Sequence, residues 1–83
     1  MIEPKQVEAM IRAAMPDAEV QALSPDGEHF EVTVISDLFE GKRSVQQHQM
    51  VYGAVQQAMA TEAIHALSLK TYTPQTWAAT QSV

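Results

Sequence analysis

The chain of 83 residues contains no cysteine. It therefore has no disulfide to stabilise it and no thiolate of its own for a metal or an iron–sulfur cluster, and its composition fits a reducing compartment. No run approaches the roughly 18 apolar residues of a membrane span, and the N-terminal residues lack the basic and apolar regions of a signal peptide. We therefore expect a cytoplasmic protein with one domain over residues 1–83, because this length has no room for two cores.

Basic residues are also few. Five Lys and Arg stand against ten Asp and Glu, which gives a net charge of −5. A negatively charged domain is repelled by phosphate backbones at long range. DNA or RNA binding therefore requires a local basic patch whose attraction outweighs the repulsion from the net negative charge. An enzyme would need a nucleophile or a tuned acid–base pair, and the chain offers only scattered Ser and His. We expect neither catalysis nor a small-molecule substrate.

Hydrophobic spacing predicts an α+β domain. A first helix runs from near Pro4 to the residue before Pro16, with these apolar positions inward: Val7, Met10, Ile11 and Ala14. Two alternating segments around the turn Ser24–Gly27 predict a hairpin with these inward residues: Ala18, Val20, Ala22, Phe30, Val32 and Val34. A last strand begins near Ile64, with Leu67 and Leu69 on its core side. Thr73 is the predicted N-cap, and Pro74 the first residue, of a short final helix.

A long helix is predicted between the hairpin and the last strand. Ser44-x-x-Gln47 predicts a capping box that opens it. Its apolar stripe follows spacings of three and four: Val45, His48, Tyr52, Val55 and Met59, widened by Val51. Gly53 destabilises this helix by about 1 kcal/mol relative to Ala. The close approach of another backbone segment is one explanation for a glycine at this position. In the preceding loop, Leu38 and Phe39 are expected to pack on the core, and Gly41 allows a tight reversal.

This order predicts one small mixed sheet under the helices. The 27 residues from Asp37 to Ala63 are enough for a crossover between two parallel strands. If the second and last strands are parallel neighbours, His29 and His65 lie at the same end of the sheet, on strands about 4.8 Å apart. By alternation His29 faces the open side and His65 the helix side. The hairpin loop must therefore bend over the strand end for the imidazoles to converge.

Each histidine also has a purely structural interpretation. His29 is simply solvated unless a second ligand lies nearby, and His48 is a boundary residue with one satisfied nitrogen. In the structural interpretation, His65 lies at the rim of the sheet and donates a hydrogen bond to a backbone carbonyl. Two imidazoles alone are an incomplete zinc site, which needs three or four ligands. Imidazoles can, however, replace thiolates on one iron of a two-iron cluster if a partner supplies the rest.

Several segments closely resemble the BolA-like proteins. They are Phe39-x-Gly41-Lys42, His48-x-x-Val51-Tyr52, and the block from Ile64 to Pro74 followed by Trp77. The hairpin segment Asp26-Gly27-x-His29-Phe30 is most similar to the IbaG branch of that family. The resemblance covers nearly the whole chain. It implies a class II KH-like fold in α-β-β-α-β-α order with a parallel third strand.

The resemblance also implies a partner. BolA-like proteins form a heterodimer with a monothiol glutaredoxin that bridges a [2Fe–2S] cluster. In that picture His65 is an iron ligand and His29 the candidate second ligand, while the glutaredoxin cysteine and glutathione supply thiolates. The family's other implied role is DNA-binding regulation of stress response and morphology, in which Gly41, Lys42 and Arg43 would approach phosphate. This chain has Glu40 before those residues and lacks the two-glycine loop of a true KH domain.

Overall fold

The computed structural model describes residues 2–61 and 63–81. The elements are these: α1 (Pro4–Ala14), β1 (Glu19–Leu23), β2 (His29–Ile35), a 3-10 turn (Asp37–Phe39), α2 (Ser44–Ala60), β3 (Ala66–Tyr72) and α3 (Pro74–Gln81). The predicted α+β class and the α-β-β-α-β-α order are confirmed. Within the two described ranges, no helix combines the length and the apolar character that crossing a membrane requires.

Strand β2 lies at the centre of a three-stranded sheet. It pairs antiparallel with β1 and parallel with β3, where Phe30 is in register with Leu67 and Val32 with Leu69. The parallel pairing confirms what the length of the crossover predicted. Because β2 and β3 run in the same direction, their N-terminal ends meet at one edge of the sheet.

The core lies between one face of the sheet and the helices α1 and α2. All six predicted inward positions of the hairpin are buried, and Leu67 and Leu69 are partly buried against the same core. Ala14 was expected inside and is exposed. Phe39 is fully buried as predicted, but Leu38 is 48% exposed. One of the two apolar residues is therefore sufficient to hold this loop on the core.

The apolar stripe of α2 differs from the prediction. Val51, Val55 and Ala58 are buried, whereas Val45 and Tyr52 are 59% and 38% exposed. The burial pattern is rotated around the helix because the polar residue Gln47, one turn before Val51, faces inward and satisfies its amide with hydrogen bonds.

Gln47 also explains why the predicted capping box is wrong by one residue. The backbone N–H of Arg43 donates to Gln46 Oε1 at 3.0 Å, so the cap is at Arg43. Gln47 Nε2 donates to the carbonyl oxygens of Phe39 and Lys42, and its Oε1 accepts from Thr71 Oγ1 at 2.7 Å. This amide thus ties the loop before α2 to strand β3.

Two other local predictions have different outcomes. Thr73 Oγ1 accepts from the N–H of Thr76 at 3.1 Å, which confirms Thr73 as the cap of α3. Gly53 has no close backbone neighbour, since a β-carbon placed there would meet no atom within 4 Å. The steric reason suggested for this glycine is therefore wrong.

Candidate metal centre

Hydrogen bonds shape the turn between β1 and β2. The N–H of Gly27 donates to Ser24 Oγ at 2.9 Å, and Ser24 Oγ donates to the carbonyl of His29 at 2.7 Å. Gly27 has a φ of 78°, in the left-handed region that glycine enters at little cost. These contacts place His29, the first residue of β2, at a defined position on the edge of the sheet.

Asp26 is the most heavily bonded side chain of this turn. Its Oδ1 accepts from the N–H groups of Glu28 at 2.9 Å and His29 at 2.8 Å, and its Oδ2 lies 2.7 Å from His29 Nδ1. The backbone N–H of His29, then that of Glu28, and the His29 ring hold the pKa of Asp26 well below its usual range. The carboxyl is therefore ionised at neutral pH.

His65 lies one residue before β3. Its N–H and that of Ala66 both donate to the carbonyl oxygen of Glu28 at 3.1 Å, and Ile64 before it is buried. The His65 side chain is exposed. The alternation that assigned it to the helix face was wrong, because the strand starts at Ala66 and His65 is outside the ladder.

The two imidazole rings meet at this edge. The ring centroids of His29 and His65 are 5.8 Å apart, and the ring planes are inclined at 74°. The expected convergence of the two residues, 36 positions apart in the chain, is confirmed. Their role as iron ligands stays a prediction. His48 lies on α2 and is half-buried, as expected of a boundary residue.

Two acidic residues of the turn, Asp26 and Glu28, had no predicted role in the site. Ligand atoms of Asp26, Glu28 and His29 lie within 4.8 Å of one another, and all three residues are exposed. The Asp26 carboxylate already accepts hydrogen bonds on both oxygens, so it is better suited to orient His29 than to bind an ion itself. The sequence does contain a signal for this orienting role of Asp26: an Asp three residues before a histidine, in a turn that contains Gly.

The predicted phosphate-binding residues lie elsewhere. Gly41, Lys42 and Arg43 are exposed between the 3-10 turn and α2, and Gly41 has a φ of 75°. This loop follows the C-terminal end of β2, whereas His29 begins that strand. Seven residues of β-strand span about 20 Å. The structure therefore separates the two predicted sites at opposite ends of the sheet.

Comparison with known families decides the identity of the fold. Residues 2–76 match the family model described as BolA-like protein. The chain belongs to the BolA-like family. It is 38% identical over 77 residues to the acid stress protein IbaG of Escherichia coli strain K12, an alignment that covers 93% of this chain and 90% of that protein. The similarity to IbaG agrees with the hairpin segment singled out in the sequence.

Other BolA-like relatives carry different names. The DNA-binding transcriptional regulator BolA of Escherichia coli strain K12 is 31% identical over 86 residues, covering 93% of this chain and 81% of that protein. Among solved structures, a bolA protein homologue from Coxiella burnetii matches with a TM-score of 0.83 and 37% identity, covering 94% and 99% of the two chains. Yeast Fra2 matches with a TM-score of 0.69 and 31% identity, covering 92% and 84%.

Proposed function

We propose that this BolA-like domain is a non-enzymatic adaptor that completes the ligand set of a [2Fe–2S] cluster shared with a monothiol glutaredoxin and glutathione. The observation that carries the proposal is the contact between two exposed imidazoles, 5.8 Å apart, in a chain without cysteine. Such a chain can contribute nitrogen ligands but needs a partner for thiolates. A glutaredoxin cysteine and glutathione supply that missing class of ligand.

The donor set fits a two-iron cluster. In this proposal His65 is one ligand and His29 the second, both at an edge of the sheet that is open to a partner. Imidazoles replace thiolates on one iron in known two-iron centres and raise their reduction potential. When bound, the cluster would supply one-electron redox chemistry and transferable iron. The chain's own residues hold the imidazoles at the sheet edge through backbone hydrogen bonds.

The names of the relatives are compatible with this role. They include an acid stress protein and a transcriptional regulator, neither of which is an enzyme name. We extend the proposal to iron and stress homeostasis in the cytoplasm, where thiolates of the partner stay reduced.

Anaerobic reconstitution tests the proposal. The domain, a monothiol glutaredoxin, glutathione, ferrous iron and sulfide are combined and separated by size-exclusion chromatography with visible detection. We expect cluster absorbance in a heterodimer and none with the domain alone. His48→Ala is the matched control for His65→Ala and His29→Ala, since His48 lies on α2, away from the sheet edge. This control variant should behave as wild type. Elution of the cluster with glutaredoxin only would overturn the proposal.

A DNA-binding regulator is the second candidate function. It is favoured by the name of one relative and by two adjacent exposed cations, Lys42 and Arg43, before the N-terminus of a 17-residue helix, where backbone N–H groups attract anions. The net charge of −5 opposes it. Retardation of DNA by the isolated domain, with a steep loss of affinity as salt rises, would support this second function.

A further inference from the structure

Asp26 holds His29 at two points. Its Oδ1 accepts from the backbone N–H of His29 at 2.8 Å, and its Oδ2 lies 2.7 Å from the ring Nδ1. The first contact fixes the main chain at the start of β2, and the second fixes the ring relative to that main chain. Neither contact involves His65, whose N–H donates to the carbonyl of Glu28; Asp26 reaches that residue only through its backbone, since Oδ1 also accepts from the N–H of Glu28 at 2.9 Å.

The second contact dictates which ring nitrogen carries the proton. An ionised carboxylate can only accept hydrogen bonds, so Nδ1 must be the donor. A neutral imidazole has one N–H and one lone pair, and the lone pair is then on Nε2. Free histidine in water favours the opposite tautomer. Metal-binding histidines commonly donate their second ring N–H to a carboxylate, which sets the tautomer and orients the ring.

We propose that Asp26 is the positioning residue of the candidate metal centre: it holds His29 in the Nδ1–H tautomer and leaves Nε2 as the atom available to iron. The part concerning iron rests on the proposed function. The tautomer of His29 is a property of the isolated domain. The tautomer assignment and the iron-ligand role can therefore be refuted separately.

Asp26→Asn is the decisive variant. The amide oxygen can still accept from the backbone N–H groups, while the amide NH₂ takes the place of Oδ2 and faces Nδ1 as a donor. Nδ1 must then accept, and the ring is driven to the Nε2–H tautomer. Glu28→Gln is the matched control. It removes the same charge from the same turn and leaves the contact between Asp26 and His29 in place.

Long-range ¹H–¹⁵N NMR spectra of the isolated domain report the tautomer directly. They are recorded at alkaline pH, where the two ring ¹⁵N shifts themselves show whether one nitrogen lacks a proton. We expect Nδ1–H in the wild type and in Glu28→Gln, and Nε2–H in Asp26→Asn. An Nε2–H ring in the wild type, or no change in Asp26→Asn, would overturn the proposal. The wild-type result is decisive even if the variant folds poorly.

The visible circular dichroism of the mixed complex with glutaredoxin gives the second readout. We expect Asp26→Asn to shift the cluster spectrum in the same direction as His29→Ala, and His48→Ala, on α2, to leave it unchanged. A complex that responds to His29→Ala but not to Asp26→Asn would contradict a positioning role. A complex that responds to neither His29→Ala nor His65→Ala would instead contradict the proposed function, whatever the tautomer.

Discussion

His29 is in register with Ala66, yet its ring lies 5.8 Å from that of His65, the residue before the strand. The cause is the carbonyl oxygen of Glu28, which accepts hydrogen bonds from both His65 and Ala66. Residues 28 and 65 therefore lie side by side at the edge of the sheet. The backbone sets the proximity of the two rings, so the geometry should survive replacement of either imidazole.

Replacement of Leu69 by Ala tests the packing of β3. Leu69 is in register with Val32 and packs against the core, although it is only partly buried. Truncation of a core leucine costs about 2–5 kcal/mol, and partial burial puts this site near the lower end. Ser68→Ala, on the exposed side of the same strand, should change the free energy of unfolding by less than about 0.5 kcal/mol. A loss below about 1 kcal/mol for Leu69→Ala in urea titrations would contradict the packing of β3.

Gly53→Ala should stabilise the protein. The position lies within α2, and a β-carbon would meet no atom within 4 Å. Alanine is favoured over glycine in a helix interior by about 1 kcal/mol, and no clash opposes it here. Thermal unfolding should show a higher Tm than wild type. A lower Tm would mean that this part of the helix surface tolerates only glycine.

The ionised state of Asp26 predicts a pH dependence of stability. Its pKa is lowered in the folded protein by hydrogen bonds from His29 and Glu28. A lowered pKa contributes stability above the unfolded value of about 3.9, and the contribution is lost as pH falls toward the folded value. The difference in unfolding free energy between wild type and Asp26→Asn should therefore shrink as pH falls from about 5 toward 2. A difference that stays constant over this range would show that Asp26 titrates alike in both states.

The exposed loop of Gly41, Lys42 and Arg43 gives a separate prediction for DNA binding. We expect the isolated domain to bind DNA weakly or not at all at near-physiological salt. If binding is measurable at low salt, Lys42→Ala with Arg43→Ala should reduce the slope of log affinity against log salt by about two. Lys5→Ala, at an exposed position on α1, is the control and should change it little. A double variant with an unchanged slope would exclude this loop as the phosphate contact.

Alternation and connection length were sufficient for most of the fold. Phe30, Val32 and Val34 alternate with polar residues, and only one face of a half-buried strand can accept them. The long crossover was sufficient for a parallel pairing of β2 with the last strand, and that pairing places His29 and His65 at one edge of the sheet. The meeting of the two histidines was therefore predictable without any contact being known.

The remaining features depended on hydrogen bonds that a hydrophobic pattern does not record. Gln47 faces inward because its amide finds three polar partners, and this rotated the stripe of α2 away from Val45 and Tyr52. Asp26 orients His29 only because the turn brings Oδ2 to the ring. Both effects arise from the three-dimensional path of the backbone, which spacing alone does not give.

Pulsed EPR can show whether His65 is an iron ligand. The sample is the reduced complex of this chain with a monothiol glutaredoxin and the [2Fe–2S] cluster, with ¹⁵N-histidine in this chain only. We expect ¹⁵N hyperfine coupling to the cluster in the wild type. The coupling should decrease in His65→Ala and in His29→Ala, because each variant removes one labelled nitrogen, and it should persist in His48→Ala. The amount of bound cluster should fall less in His29→Ala than in His65→Ala, because another donor can replace His29. His65 is exposed and outside the ladder, so its replacement should change stability by less than about 0.5 kcal/mol. Absence of coupling in the wild type, or full coupling in His65→Ala, would show that His65 is not an iron ligand.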